Sequence, residues 1–473
     1  MDDPKDWTAD MVKTRLGRSA GASDVVRRGG RRLIAAIFGI ALGVGAASEA
    51  ISADLPIRKA APVEGVAVCN VAGMAGFILP GSDTCFKISG YVSGQVQAGN
   101  LTKQYVLGFI GPAPGPVVSA EGATVASRDS LGFTTRAQLN LDARQYTAYG
   151  VLRGYVEIQA NTSNGFENVG SPVLINVAYL QWAGLTVGRA GSFFSYLAAG
   201  AGWYDFYSPD RVTGNQPVLF AYTATFGNGF AATISIEDPT GANVNGPFNG
   251  GYNNVYDGQL APDVVGVLRL DQQWGSAQVS AVAHKTSALG VSSDTINVWG
   301  YAFLGGVTVN LPQIAPGDRV AAQVVYSHAA LGYSGIPNTA LSAGDQGLNI
   351  NGNGTIFQLT DALNYDVGVW SFPTTWTGAA FFEHHFTPQF SLTPEASVAF
   401  VRYSDAPTMI STAAASFLGG AVAHWDPVPH LDFELGAMYQ YTRQATPAAY
   451  VGPPAFRPIS SGVAGNLSVT RDF

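Results

Sequence analysis

Residues 131–142, LGFTTRAQLNLD, alternate almost without fault. Leu131, Phe133, Ala137, Leu139 and Leu141 share one parity, with Thr135 its single polar member; Thr134, Arg136, Gln138, Asn140 and Asp142 share the other. Successive side chains of an extended chain point to opposite faces, so this is a strand with one oily and one wet face. Two folds accommodate such strands. In a soluble sandwich the oily face meets a core; in an outer-membrane barrel it meets lipid, and the wet face lines water.

The pattern recurs. In 151–159, Arg153, Tyr155, Glu157 and Gln159 oppose Leu152, Val156 and Ile158; in 319–327, Arg319, Gln323 and Ser327 oppose Val320, Val324 and Tyr326. In 431–442, Asp432, Glu434, Gln440 and Thr442 oppose six apolar or aromatic residues from Leu431 to Tyr441. Short turn signals fall near 144–147, 183–184, 227–229, 274–276, 311–317, 387–389 and 426–430. Longer stretches rich in Gly, Asn, Ser and Pro lie between them, such as NVNGPFNGGYNNVYDGQ and GYSGIPNTALSAGDQGLNINGNG. Tight connections alternating with long ones are what a membrane barrel shows. Seven turns join fourteen strands; Phe86–Gly99 before them and Ser461–Phe473 after them make sixteen. A hairpin hidden within 331–375, around QLTDALNYDVGVWSF, would raise the count to eighteen.

Charge decides between sandwich and barrel. Only 12% of the chain is Asp, Glu, Lys or Arg, about half the usual share for soluble domains. The wet faces carry Gln, Asn, Thr and Gly instead, which suits a hydrated lumen, and closure removes every sheet edge. A closed antiparallel transmembrane β-barrel is therefore expected over residues 86–473. The competing fold is a secreted soluble β-sandwich that binds a ligand such as a carbohydrate.

The N-terminal region agrees with export. Arg27, Arg28, Arg31 and Arg32 precede Leu33–Ala47, a run of small or apolar residues too short for a helical span, and small-residue cleavage sites follow by Ala53. Residues 1–53 read as a signal peptide with an N-terminal extension; either its charged region is long or the true start lies downstream. They hold eight of the 25 Lys/Arg and six of the 33 Asp/Glu, leaving 17 basic against 27 acidic residues. That balance gives no nucleic-acid footprint. Export favours a disulfide between the two cysteines, Cys69 and Cys85, pinning segment 54–85 ahead of the first strand.

Four stretches carry a family resemblance. ADLPIRKAAPVEGVAVCNVAGMAGFILPGSDTCFKISGYV (Ala53–Val92) resembles the start of mature alphaproteobacterial porins, through ADLP…KAAP, V-x-V-C, the Pro-Gly-x-x-T-C and the K-I-x-G. LTVGRAGSFFSY, HWDPVPHLDFELGAMYQYT and LSVTRDF are similar to that family's approach to its third outer loop, a late hairpin and the last strand. The loops near 240–260 and 331–375 match nothing in the family. The resemblance implies a sixteen-stranded outer-membrane porin, generally a homotrimer, passing small hydrophilic solutes and ions passively, without a cofactor. It also implies that the terminal Phe473 is read by the outer-membrane assembly machinery, although Arg471 departs from the usual apolar alternation. A substrate-selective channel of the same architecture is the alternative.

Chemistry is sparse. No G-x-S-x-G, H-E-x-x-H or P-loop pattern occurs, so no enzyme is expected. FFEHHF (Phe381–Phe386) places only Glu383 and His385 on one strand face, and two ligands do not make a metal site. The third long connection, FFSYLAAGAGWYDFYSPDRVTGNQP (Phe193–Pro217), is rich in aromatic and small residues, as a loop folded into a barrel must be. The expected constriction sets its Asp205 and Asp210 against the wall residues Arg136 and Arg153, with Glu157 adding negative charge. Arg189 belongs with them less simply, since it shares parity with Leu185 and Val187. Either the strand twists at Gly188 or Arg189 lies at the interface, because a lipid-facing Arg near the midplane costs about 2–4 kcal/mol.

Overall fold

The computed structural model describes residues 67–79, 81–99, 105–106, 124–125, 131–165, 173–197, 216–242, 255–290, 295–335, 360–366, 368–404, 413–445 and 459–473. The leader expected over residues 1–53 lies outside them. Sixteen strands follow one another around an antiparallel ring. They are β1 (Cys85–Gly99), β2 (Leu131–Thr147), β3 (Gly150–Gly165), β4 (Val173–Trp182), β5 (Leu185–Arg189), β6 (Val218–Gly227), β7 (Phe230–Glu237) and β8 (Asp263–Gln272). The second half is β9 (Gly275–Leu289), β10 (Thr295–Asn310), β11 (Arg319–His328), β12 (Pro373–Thr387), β13 (Phe390–Tyr403), β14 (Ala413–Val428), β15 (Leu431–Gln444) and β16 (Ile459–Asp472). The ring closes where β16 returns to β1, with Leu467 opposite Val96 and Arg471 opposite Val92.

Closure removes the sandwich alternative, which needs two separate sheets. It also settles the strand count. β11 pairs directly with β12 from Arg319↔Glu383 to His328↔Thr374, so no further pair of strands enters the ring between them. The eighteen-strand alternative is corrected to sixteen. Leu363–Asp366 and Val369–Ser371 do form a hairpin, but it is a separate two-stranded ribbon inside the long connection.

Strand β2 has a definite outer and inner face. On β2, Leu131, Phe133 and Leu139 are exposed while Gly132 and Asp142 are buried, so the apolar parity faces out and the polar parity faces in. The same holds around the ring: Ile175, Phe220, Ile234, Leu268, Val279 and Val324 all project outward. Lipid, not a protein core, is the solvent for these residues. Aromatic pairs gather near the short turns, with Tyr149 edge-on to Trp182 at 5.6 Å and Phe226 beside Phe230 at 5.7 Å. Tyr301, Tyr326 and Trp376 cluster toward the opposite rim, with Tyr326 and Trp376 rings 4.7 Å apart. Two aromatic belts of this kind mark the two membrane–water interfaces.

The short turns follow from their sequences. Gly227-Asn228-Gly229 supplies three consecutive positive φ angles, and a Cβ on Gly229 would stand 1.7 Å from the Asp271 carbonyl oxygen. No other residue fits there.

The segment before β1 is a hairpin, Val68–Val71 against Met74–Ile78, joined to β1 through Phe77↔Phe86 and Ile78↔Cys85. Cys69 and Cys85 are bonded. The hairpin is also tied to β2: the Ala72 amide donates to Tyr146 Oη (3.0 Å), and Arg144 Nη1 donates to the Ala72 carbonyl (3.2 Å). Unreduced protein is expected to show no alkylatable thiol by mass measurement. Cys69→Ala is expected to lower unfolding stability in denaturant by about 3 kcal/mol, the chain-entropy value for a loop of roughly 15 residues. Phe473 closes the last ladder, since its amide donates to the Gly90 carbonyl (2.9 Å) and its carbonyl accepts from the Gly90 amide (3.0 Å). Its ring is exposed at the rim.

Candidate functional site

The inward register of β2 and β3 carries a cationic strip. Asp142 sits between two arginines, with Arg153 Nη2 at 2.8 Å and Arg144 Nη2 at 2.9 Å from its Oδ2. Arg153 also reaches Gln181 Oε1 (3.3 Å) and lies over the Tyr155 and Tyr179 rings at 5.0 and 5.4 Å. One carboxylate against two guanidiniums leaves net positive charge on this wall. Farther from the short turn, Arg136 Nε donates to Asn161 Oδ1 (2.8 Å), and Gln159 Nε2 donates to Gln138 Oε1 (3.3 Å). Glu157 accepts from Asn176 Nδ2 at 2.6 Å. Arg136, Arg153 and Glu157 thus share one stretch of lumen wall. Arg189 does not join them. It is the last residue of β5, exposed on the outward register beyond Gly188 (φ +129°), and its Nε donates to the Asn176 carbonyl (3.0 Å).

Across the ring, the start of the third connection lies against the inner wall. Phe194 is fully buried among Val265, Val267, Val282, Leu304 and Val325, all inward residues of β8–β11, and Leu197 packs on Ala321 and Phe381. Polar side chains on the wall satisfy the backbone of this segment. Gln278 Nε2 faces the carbonyls of Phe193, Phe194 and Ser195 at 3.2–3.3 Å, Gln323 Oε1 accepts from the Leu197 amide (3.0 Å), and Glu237 Oε1 accepts from the Phe193 amide (3.1 Å). Tyr196 lies over Gly306, and its hydroxyl meets Ser276 Oγ (2.7 Å) and Thr308 Oγ1 (2.8 Å). The Arg269 guanidinium stands 5.6 Å from that ring and is fixed by Asp271. Asp205 and Asp210, farther along the connection, lie outside the described residues.

A buried polar group joins this segment to the long connection between β11 and β12. His284 Nδ1 is 2.8 Å from Asp263 Oδ1, Tyr333 Oη donates to Asp263 Oδ2 (2.5 Å), and Asp361 Oδ1 accepts from the Leu331 amide (2.6 Å). Burial and the neighbouring Asp263 carboxylate hold the Tyr333 phenol well above its ordinary pKa, so it stays a donor. The Tyr333 ring meets Phe194 edge-on at 5.1 Å. His284 and its two acids have the makings of a catalytic set, but all three are essentially inaccessible, which fits a structural brace. Sequence reading missed this group because its members lie on separate strands and loops, with no local spacing to reveal them.

FFEHHF keeps Glu383 and His385 together, with His385 Nε2 3.7 Å from Glu383 Oε1, and draws partners from elsewhere in the chain. Glu383 Oε2 pairs with Arg319 Nε (2.6 Å), while His384 Nδ1 lies 2.6 Å from Asp318 Oδ2 and the His385 amide donates to Asp318 Oδ1 (2.8 Å). Loss of water raises the Asp318 pKa, but the His385 amide and the His384 ring outweigh it, and the net shift is downward. A carboxylate with a lowered folded-state pKa stabilises above its unfolded value of about 4 and loses that contribution as pH falls through the folded value. Asp318→Asn is therefore expected to lower the melting temperature at pH 7, and the gap from wild type should narrow progressively as pH falls below about 4. A gap independent of pH would show that packing rather than charge is responsible.

A family model described as a porin subfamily matches residues 54–455. Porin Omp2b of Brucella canis is 29% identical over 251 residues, covering 51% of this chain and 62% of that protein. Porin Omp2b of Brucella abortus strain 2308 gives the same figures. The chain thus spans less than two thirds of the length of these curated relatives. Among solved structures, the outer membrane channel DcaP of Acinetobacter baumannii superposes with a TM-score of 0.58 at 12% identity, covering 85% of this chain and all of that one. That likeness is one of fold: a closed strand ring of outer-membrane type. With the family model covering most of its length and the wall apolar outside and polar inside, the chain belongs to the porin family of bacterial outer-membrane β-barrels.

Proposed function

We propose that the protein is a water-filled channel for passive diffusion of small hydrophilic solutes and ions across the outer membrane. The observation that carries this reading is the pairing of two opposed features inside one ring. A polar, arginine-bearing wall on β2 and β3 faces a segment seated on β8–β11. Such an arrangement narrows a lumen from one side and leaves charged groups along the other. Asp205 and Asp210, from the same connection, are assigned to the narrow point opposite Arg136 and Arg153, with Glu157 beside them. Arg189 is assigned to the outer rim, where its charge acts on Asp238. In a narrow passage an ion has lost part of its hydration and screening, so these side chains set which charge passes. The protein assembles as a homotrimer through its apolar outer wall, and Phe473 forms part of the signal taken up by the assembly machinery.

Reconstitution of purified protein into a planar bilayer tests the reading. Stepwise currents proportional to bulk salt concentration are expected. Saturating currents blocked by one solute would indicate a selective channel instead, and a bilayer that never conducts would overturn both.

A further inference from the structure

The β14–β15 hairpin places three metal-ligand side chains on one inward patch near the short turn. His424 and Glu434 are cross-strand partners, and Asp432 lies two residues from Glu434 on the same face. His424 Nδ1 stands 3.2 Å from each carboxylate oxygen of Asp432. One donor atom from each of the three residues lies within 4.8 Å of the others.

Glu434 is the member that demands an explanation. Its side chain is fully buried (0% exposed), Oε1 accepts from Asn466 Nδ2 (2.6 Å), and Oε2 is buried with no hydrogen-bond partner among the described residues. An ionised oxygen without a donor in such a place is costly. The nearest charges worsen the imbalance, since Asp426 adds a further carboxylate to the field of Asp432 and His424. The imidazoles near this group, His424 and His385, are outnumbered by the carboxylates of Asp426, Asp432, Glu434 and Asp472.

We propose that His424, Asp432 and Glu434 bind a transition-metal dication of the zinc class. A tetrahedral ion with bonds of about 2.1 Å sets its ligand atoms roughly 3.4 Å apart. The His424–Asp432 separation is already at that spacing, so only the Glu434 oxygen has to close in. The ion gives the orphaned Oε2 a partner and offsets both carboxylates, while neutral His424 coordinates through Nδ1. Asp432 and His424 remain about a quarter exposed, 27% and 23%, which leaves the fourth position to water from the lumen. A set of one nitrogen and two oxygens suits zinc-class ions, whereas calcium takes six to eight oxygen ligands. Neither FFEHHF nor any local spacing signals the site, because two of its members meet only through strand register.

The test is calorimetric titration of Zn²⁺ alone into chelator-washed protein in detergent, followed by Co²⁺ absorption. One saturable site per chain is expected, with intense tetrahedral Co²⁺ bands and no binding of Ca²⁺ at equal concentration. Asp432→Asn and His424→Gln should each weaken Zn²⁺ by at least about tenfold, the scale on which even outer-shell partners act. His430→Gln, at the exposed pair with Asp472 on the rim, should leave binding unchanged. Binding that persists in both ligand variants, or no saturable binding up to millimolar Zn²⁺, would overturn the proposal. Heat-modified mobility of each variant confirms that the barrel has folded.

Discussion

Gly306→Leu is expected to unseat the start of the third connection and raise single-channel conductance. Gly306 lies on the inward register of β10, between Gln278 on β9 and Gln323 on β11. A Cβ there would stand 2.3 Å from Tyr196 Cδ1 and 2.8 Å from Cγ, contacts no aromatic ring tolerates. The ring cannot swing aside cheaply, because its hydroxyl is held by Ser276 and Thr308. Overpacking costs about 1–3 kcal/mol, and each hydrogen bond given up costs about 1 kcal/mol more. A total of roughly 3–4 kcal/mol shifts the balance between seated and released segment by two to three orders of magnitude, at about 1.4 kcal/mol per tenfold. The barrel itself should survive, since the ladder of β10 uses only backbone groups. Gly305→Leu is the matched control: its Cβ would point to lipid and meet nothing within 4 Å. Its conductance should equal that of wild type. Equal conductance for both variants would mean that this segment does not narrow the pore.

The contrast between these neighbouring glycines shows what the sequence discloses about this fold. Parity along one strand is a local property, so the oily and wet faces of β2, and the order and number of hairpins, were legible from residues 131–142 and the turn signals. The Asn228-Gly229 turn needed only Asn and Gly in the right places. What sits opposite what across the ring is not local. Asp142 reads as one more polar residue of a strand, yet it is the shared partner of Arg144 and Arg153. Asp263, His284, Tyr333 and Asp361 come from positions almost a hundred residues apart and meet only because the long connection after β11 folds back against wall strands β8 and β9. The third connection announced its unusual composition, but not that Gln278, Gln323 and Glu237 would satisfy its backbone. Arg189 shows the limit of parity alone: the pattern put it on the lipid side, and only its place at the end of β5 relieves the cost.

Neutralising the two acids of the third connection should move the reversal potential in a salt gradient toward anions, and neutralising the wall arginines of β2 and β3 should move it toward cations. The two changes are Asp205→Asn with Asp210→Asn, and Arg136→Gln with Arg153→Gln. The arginine pair is a safe substitution for the fold, since Asp142 keeps Arg144 at 2.9 Å when Arg153 is lost and glutamine at 136 retains a donor for Asn161. A unit charge 4 Å from a passing ion is worth about 1 kcal/mol even in bulk water, about a fivefold change in local ion occupancy per charge. The effect is larger where the wall and the seated segment exclude water. Glu157 stays in both variants, so the acid-neutralised channel keeps some cation attraction and the arginine-neutralised one should be the more selective of the two. Screening supplies an internal check. With a Debye length of about 10 Å at 0.1 M salt and about 3 Å at 1 M, both shifts should be large in dilute salt and shrink together as salt rises. If the acid variant alone leaves the reversal potential unchanged, Asp205 and Asp210 lie off the conduction path, and the selectivity belongs to the arginine wall. If neither variant moves it, the passage is too wide at these strands for its wall charges to be felt, and the narrow point must be sought elsewhere in the lumen.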